Sequence, residues 1–505
     1  MRRKRIPGIA LIQLFAMARV IVALALLVGA VDAQLSIDAV NPKVIQAEYA
    51  VRGKILERAG EIERDMKENP DNWPFQEIVR CNIGNPQALG QAPPAFARAV
   101  LSQVVLPKSK GSRQVRERAD AYRNALSGGV GAYSDSQGVS LVREEVAAFI
   151  SERDGHAASP DDIFLTDGAS AGVRHLTQLL VSGPKDGVLA PAPQYPLYSA
   201  TTTLYDGTLG SYYLDEAADW AAPVAELKKS YADVVAKGAV PKMVVIINPG
   251  NPTGASLPLA SLEAIVRFVE SHPGLVLGAD EVYQENVYGD APPFVSFKKV
   301  VKDLGSKIPL VSFHSISKGF TGECGLRGGY FELTNIPKDV KAQLTKLASV
   351  SLCSNTMGQV AVGLMVNPPT SGSELKAYEK EKTEKLASLV RRANKMAESL
   401  NALEGVSCVK PQGAMYLFPS ITLPAQAVAA AARLSMAPDA FYSLKLLEGT
   451  GLVTVPGSGF GQRNGTWHFR TTFLPAEKQI DQVVEKLGGF HSAFLAKYGY
   501  AGGDL

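Results

Sequence analysis

Lys318 stands just past an apolar run, residues 310–313, in the stretch Leu310-Val-Ser-Phe-His-Ser-Ile-Ser-Lys318, and Arg327 follows among glycines. A lysine amine adds to carbonyls to form Schiff bases, while an arginine and a serine hydroxyl suit a phosphate dianion. The stretch therefore holds the parts needed to anchor a carbonyl cofactor that carries a phosphate. Ser-Ile-Ser-Lys is a common tetrapeptide and a lone lysine is most often a solvated charge, so the supporting groups must come from elsewhere in the chain.

The elements that would position such groups are readable from about residue 140 to 330. A helix over 141–153 precedes apolar runs at 163–165, 187–190, 243–247, 275–278 and 310–313, with a helix opening near Ala169. Short buried strands interleaved with helices predict an α/β fold with a large, mostly parallel sheet flanked by helices. In such sheets ligands bind beyond the carboxyl ends of the strands. The segments there are Thr166-Asp-Gly-Ala-Ser170, Pro191-Ala-Pro-Gln-Tyr195, Asn248-Pro-Gly-Asn-Pro-Thr-Gly254, Ala279-Asp-Glu-Val-Tyr283 and His314-Ser-Ile-Ser-Lys318, all polar or glycine-rich.

Beyond residue 365 the pattern changes to a long charged helix over 373–403, short apolar runs, an alanine-rich helical stretch and a final helix, predicting a smaller α/β domain. The expected organisation is a targeting segment at 1–33, an N-terminal arm and part of the small domain at 34–106, a large cofactor-binding domain at 107–365 and a C-terminal small domain at 366–505. Residues 35–67 read as helical, 77–83 as a strand entering a turn, and 107–118 as an exposed connection.

Composition narrows the function. The chain of 505 residues is 46% hydrophobic with a net charge of +3, enough for at least two cores and without a basic stripe for nucleic acid. Four scattered cysteines, Cys81, Cys324, Cys353 and Cys408, and six dispersed histidines give no metal-ligand spacing and no disulfide framework. The first 31 residues contain no acid, open with Arg2-Arg3-Lys4-Arg5 and carry an apolar run over 20–31. That describes a signal-peptide-like targeting segment rather than a membrane span, with mitochondrial import as the alternative and Met17 as a second possible start.

Three short motifs point elsewhere. Gly168-Ala-Ser170-Ala-Gly172 matches the nucleophile elbow of a serine hydrolase, for which Asp280 and His314 could be enlisted. Ser315-Ile-Ser-Lys318 matches S-x-x-K without the K-T-G or S-D-N that accompany it, and Gly457-Ser-Gly459-Phe-Gly461 resembles a dinucleotide loop but precedes a strand.

Longer stretches decide among them. Glu48-Tyr-Ala-Val-Arg-Gly53, Cys81-Asn-Ile-Gly-Asn-Pro-Gln87, Ile247-Asn-Pro-Gly-Asn-Pro-Thr-Gly254, Asp280-Glu-Val-Tyr-Gln-Glu-Asn-Val-Tyr288, Gly413-Ala-Met-Tyr-Leu-Phe-Pro419 and Val455-Pro-Gly-Ser-Gly-Phe-Gly-Gln462 join the lysine block. Together the chain from about residue 41 to 487 resembles the fold-type I aminotransferases that depend on pyridoxal 5'-phosphate (PLP), most nearly the alanine aminotransferases.

The resemblance implies roles residue by residue. Lys318 would form the Schiff base with PLP and then move the substrate α-proton. Asp280 would hold the proton of the pyridine nitrogen, Tyr283 and Asn251 would hydrogen-bond the phenolic oxygen, and Tyr195 would stack on the ring. Ala169, Ser170, Ser315 and Arg327 would cup the phosphate at a helix start, a site that favours anions. Tyr133 would reach the phosphate of a partner subunit, making a homodimer the active form. Arg470 would clamp the substrate carboxylate, with the Gly84 backbone beside it. The implied reaction is L-alanine plus 2-oxoglutarate to pyruvate plus L-glutamate by a ping-pong route, with glyoxylate as the alternative acceptor. Outside that class stand a serine hydrolase using Ser170 and a non-catalytic binding protein. Ser317 receives no role.

Overall fold

The computed structural model describes residues 35–49, 53–107, 111–289 and 291–499, so the expected targeting segment at 1–33 lies outside the described residues. The chain divides into two compact units, Met1–Gln46 and Ala47–Leu505. The described part of the first is a short 3-10 turn, Ile37–Ala39, and a helix, Pro42–Gln46.

The second unit is built on a seven-stranded sheet: β1 (Ile163–Thr166), β2 (Asp186–Ala192), β3 (Thr208–Tyr213), β4 (Val240–Ile247), β5 (Val276–Asp280), β6 (Leu310–Ser315) and β7 (Gly329–Thr334). Their spatial order is β1-β7-β6-β5-β4-β2-β3. β7 runs antiparallel to β1 and β6, while the other neighbours are parallel. The apolar runs form strands because both faces are covered. Met243, Val245 and Ile247 of β4 pack with Val173, Leu176 and Tyr198 from one layer of helices, while Val244 and Ile246 pack with Leu227, Ile265 and Phe297 from the other. This two-residue alternation distributes a continuous apolar run between two cores.

The five expected strands are present. β3 and β7 are additions, and their Thr, Gly, Ser, Tyr and Glu content hides them from a search for apolar runs. The expected exposed connection over 107–118 is also corrected. Arg113–Ala125 is a helix that buries Val115, Ala119 and Tyr122 on one stripe, and Ser112 caps it by accepting the Val115 N–H at 3.2 Å. Only Val79–Arg80 of the expected strand over 77–83 is extended, and it pairs in parallel with Leu452–Val453.

Toward the C-terminus, Phe469–Thr472 lies between Tyr416–Leu417 and Val455–Pro456 in an antiparallel three-stranded sheet. Helices Gly372–Asn401, Pro438–Thr450 and Glu477–Tyr498 share an apolar core with Phe469 and Phe473. Helix Lys54–Glu68 lays Ile55, Ala59 and Ile62 against Leu447 and Val453. Among the described residues no helix is long and apolar enough to cross a membrane.

A buried polar cluster lies behind the end of β5. Glu281 accepts the Phe297 N–H at 2.7 Å, the Ser296 hydroxyl donates to Asp154 at 2.8 Å, and Lys298 pairs with Glu332 at 2.5 Å. Burial pushes the Glu281 carboxyl up from 4.5 to about 8, against the pull of the Arg153 charge. The folded chain therefore holds a proton there that the unfolded chain releases, so stability falls as pH rises from the lower value through the higher. Glu281→Gln removes this linkage: between roughly pH 5 and 8 the urea midpoint of the variant should decline less than that of the parent protein.

Candidate active site

The loops that leave β1, β2, β4, β5 and β6 meet Ile83–Asn85, Tyr416 and Arg470 around a cleft of about 430 Å³. Ten sequence-predicted residues line it with Lys318: Gly84, Ala169, Ser170, Tyr195, Asn251, Asp280, Tyr283, Ser315, Arg327 and Arg470. Tyr133 does not. Its side chain is 75% exposed, outside the cleft of its own chain.

Asp280 is the last residue of β5, and its position follows from the strand's end. It is fully buried and accepts a hydrogen bond from the Tyr198 hydroxyl at 2.7 Å. Burial raises its pKa, while Tyr198, the Val282 amide and the Lys318 charge oppose the rise. A buried carboxylate supported mainly by neutral donors is suited to a cationic N–H partner.

Helix Ala169–Leu180 opens beside the cleft, and Gly168 precedes it with φ 76°. A Cβ at Gly168 would lie 2.3 Å from Arg327 Nη2, so this position needs glycine for space as well as for its backbone. Arg327 itself has φ 52° and donates to the carbonyls of Asp167 and Cys324, both at 2.9 Å. The guanidinium is thereby fixed at the helix start, where amides and dipole favour an anion. Ser317, without a role from the sequence, also lines the cleft, and its hydroxyl accepts from Arg327 Nη1 at 3.5 Å.

On the opposite wall Arg470 is 1% exposed in the middle strand of the small sheet. It donates to Asn251 Oδ1 at 3.0 Å and to the Asn82 carbonyl, and its Nε has no partner. Its guanidinium is sandwiched between the rings of Tyr416, 4.1 Å away, and Phe460, 4.7 Å away. Among the described residues no carboxylate pairs with it. An unpaired buried donor costs on the order of 1–3 kcal/mol, which a bound carboxylate would offset. Lys318 Nζ donates to the Gly84 carbonyl at 3.1 Å, in the same cleft.

The hydrolase arrangement is not assembled. Ser170 lines the cleft but His314 does not; its ring packs edge-on against Tyr330, and burial together with the Arg153 charge lowers its pKa to about 3. Among the described residues there is also no group of His, Cys, Asp and Glu that could hold a metal.

The model of the family described as aminotransferase class I and II matches residues 100–487. The chain belongs to this family. It is 49% identical over 481 residues to a probable mitochondrial alanine aminotransferase of Dictyostelium discoideum, covering 92% of this chain and 90% of that one. It is 45% identical over 477 residues to glutamate–glyoxylate aminotransferase 1 of Arabidopsis thaliana, covering 92% and 97%. An inactive alanine aminotransferase of Saccharomyces cerevisiae is also 45% identical, over 484 residues, covering 91% and 94%. An aminotransferase structure from Escherichia coli superposes with a TM-score of 0.71 at 26% identity, covering 92% of this chain and 99% of that one. The chain is an aminotransferase of the PLP-dependent class, with the α/β fold expected from its sequence.

The family's cofactor fits the cleft. A buried acid, a helix start faced by an arginine, and a lysine amine line one cavity, and their chemistry would suit a ring nitrogen, a phosphate and an aldehyde. Sequence reasoning missed Tyr198, Asn82, Phe460 and Tyr416. It also missed Tyr49, whose hydroxyl meets that of Tyr195 at 2.5 Å. The family-like stretches contain all of these but Tyr198, yet only tertiary contact reveals what they touch.

Gly84 provides a direct steric test. A Cβ there would lie 2.4 Å from Tyr416 Oη and 3.2 Å from Lys318 Nζ. Gly84→Ala should lower kcat/KM for transamination by about a hundredfold, the scale of a misplaced reacting group, with an unchanged circular dichroism spectrum.

Proposed function

We propose that the protein is an alanine transaminase that converts L-alanine and 2-oxoglutarate to pyruvate and L-glutamate by a ping-pong route. The observation that carries this reading is the placement of Lys318, Asp280 and Arg470 on different walls of one cleft. The names of the relatives support the alanine preference.

When bound, PLP supplies a carbonyl for the amino group and an electron-accepting ring. The chain's own residues would do the rest. Asp280 would hold the proton of the ring nitrogen, and Tyr283 and Asn251 would hydrogen-bond the phenolic oxygen. Tyr195 would lie on the ring face. The amides of Ala169 and Ser170, with the Ser170 and Ser315 hydroxyls and Arg327, would hold the phosphate. Arg470 Nε, free and buried, would form one arm of a fork on the substrate carboxylate, with Gly84 beside it. This would place the α-carbon near Lys318, whose Nζ would take the α-proton and deliver it to C4′ of the cofactor. The exposed Tyr133 supports a homodimer in which it serves the partner's phosphate site. Residues 1–33 are read as a targeting segment, and the mitochondrial name of the Dictyostelium relative favours mitochondrial import over secretion.

Lys318→Ala should reduce transamination by at least about a thousandfold, as expected for loss of a nucleophile and base, whereas Ser170→Ala should mainly weaken PLP binding. Arg470→Lys should raise KM for alanine and glutamate more than it lowers kcat. Full activity in Lys318→Ala, or an esterase that depends on Ser170, would sink the assignment. Steady-state rates with 2-oxoglutarate and glyoxylate identify the acceptor, with the higher kcat/KM expected for 2-oxoglutarate. Bound PLP without amino transfer would instead identify a binding protein. Tyr133→Phe should loosen PLP in a protein whose dimeric mass is unchanged; a fully active monomer would exclude the shared site.

A further inference from the structure

Tyr416 lines the cleft and touches both Gly84, which holds the lysine, and Arg470. Its hydroxyl accepts two hydrogen bonds, from the Gly84 N–H at 3.1 Å and from the Tyr283 hydroxyl at 3.3 Å. The Gly84 carbonyl in turn accepts from Lys318 Nζ at 3.1 Å. The other end of the residue does different work, because the Tyr416 ring forms one face of the sandwich around Arg470, 4.1 Å from the guanidinium carbon. One side chain thus restrains the amine that moves the proton, through Gly84, and the guanidinium that receives the carboxylate, through its ring.

We propose that Tyr416 is a positioning residue of the transamination reaction, its hydroxyl fixing Lys318 by way of the Gly84 backbone and its ring fixing Arg470. This rests on the transaminase reading, and it divides one side chain into two separable functions. The direction of the Lys318 amine is set by the Gly84 carbonyl, and the position of Gly84 is set by Tyr416. The ring's contribution is a stacking contact on a planar cation, which a phenyl group supplies as well as a phenol.

The charged and titratable groups facing Tyr416 agree with this placement. They are the basic groups of Lys318 and Arg470 and the hydroxyls of Tyr283 and Tyr195. Burial would raise the Tyr416 pKa, but Lys318, Arg470 and the hydrogen bonds from Tyr283 and Gly84 together bring it below the usual phenol range. Burial raises the Tyr195 and Tyr283 hydroxyls well above that range.

Two variants and two forms of the enzyme test the proposal. In the holoenzyme, Tyr416→Phe should lower kcat by about tenfold with the KM for alanine nearly unchanged, whereas Tyr416→Leu should lower kcat and also raise that KM about tenfold. In the apoenzyme at a fixed pH, reductive methylation of Lys318, read by peptide mapping, should run several-fold faster in Tyr416→Phe, where the Gly84 carbonyl no longer holds the amine as firmly. The absorbance at 295 nm of the parent apoenzyme should show a tyrosinate forming below about pH 10 that is missing from the variant. Equal KM effects in the two variants, or an unchanged methylation rate in Tyr416→Phe, would overturn the proposal. The apoenzyme readouts require no turnover, so they remain decisive even if the substrate is not alanine, and loss of the transaminase reading would show separately in Lys318→Ala.

Discussion

Parallel strands all end on the same side of their sheet, and the backbone groups beyond those ends must find partners outside the ladder. That constraint organises this molecule. Asp280 closes β5, Lys318 follows β6, and the loops after β1, β2 and β4 bring Ala169, Tyr195 and Asn251 to the same rim. The antiparallel strand β7 extends the effect rather than breaking it. Gly329, its first residue, pairs with Ser315 at the end of β6 and with Thr166 at the end of β1. The turn that precedes it therefore places Arg327 between the lysine and the helix start at Ala169.

The same rim concentrates electrostatic cost. Asp280 and Arg470 are both buried, and each is held by groups that leave part of its hydrogen-bonding capacity open. Elsewhere the chain completes a buried charge with its own residues, as at Asp154, which accepts from Arg153 Nε and Nη2 and from the Ser296 hydroxyl. The difference separates a structural pair from a site: the first is satisfied within the chain, and the second requires a guest. In the transaminase reading that guest brings an N–H to Asp280 and a carboxylate to Arg470, so stability and affinity draw on the same unmet interactions.

The sheet and most of the site could be read from the sequence because both leave local signals. Apolar runs such as residues 243–247 and 310–313 report burial on two faces, and the polar segments that follow them report the rim. β3 and β7 escaped because their side chains are mixed. Helix Arg113–Ala125 escaped because its charged residues outnumber Val115, Ala119 and Tyr122, the three that hold it to the core. Tyr416 escaped for another reason: its meaning lies in contacts with Gly84, Lys318 and Arg470, which are distant in the chain and leave no spacing to recognise. The hydrolase motif was equally local, and it failed because His314 faces away from the cleft, a fact of strand alternation that Gly-x-Ser-x-Gly does not encode.

The pairing of Val79–Arg80 with Leu452–Val453 sets an order of events for a chain made from its N-terminus. The early strand, which leads directly to Asn82 and Gly84, has no ladder partner until residues 452–453 have been made. Arg470, which holds the Asn82 carbonyl, arrives later still. The large sheet can be complete while the wall that would receive a carboxylate is still missing. The nascent protein thus stays without a finished substrate pocket until its last strand is in place, an assembly delay built into the connectivity itself.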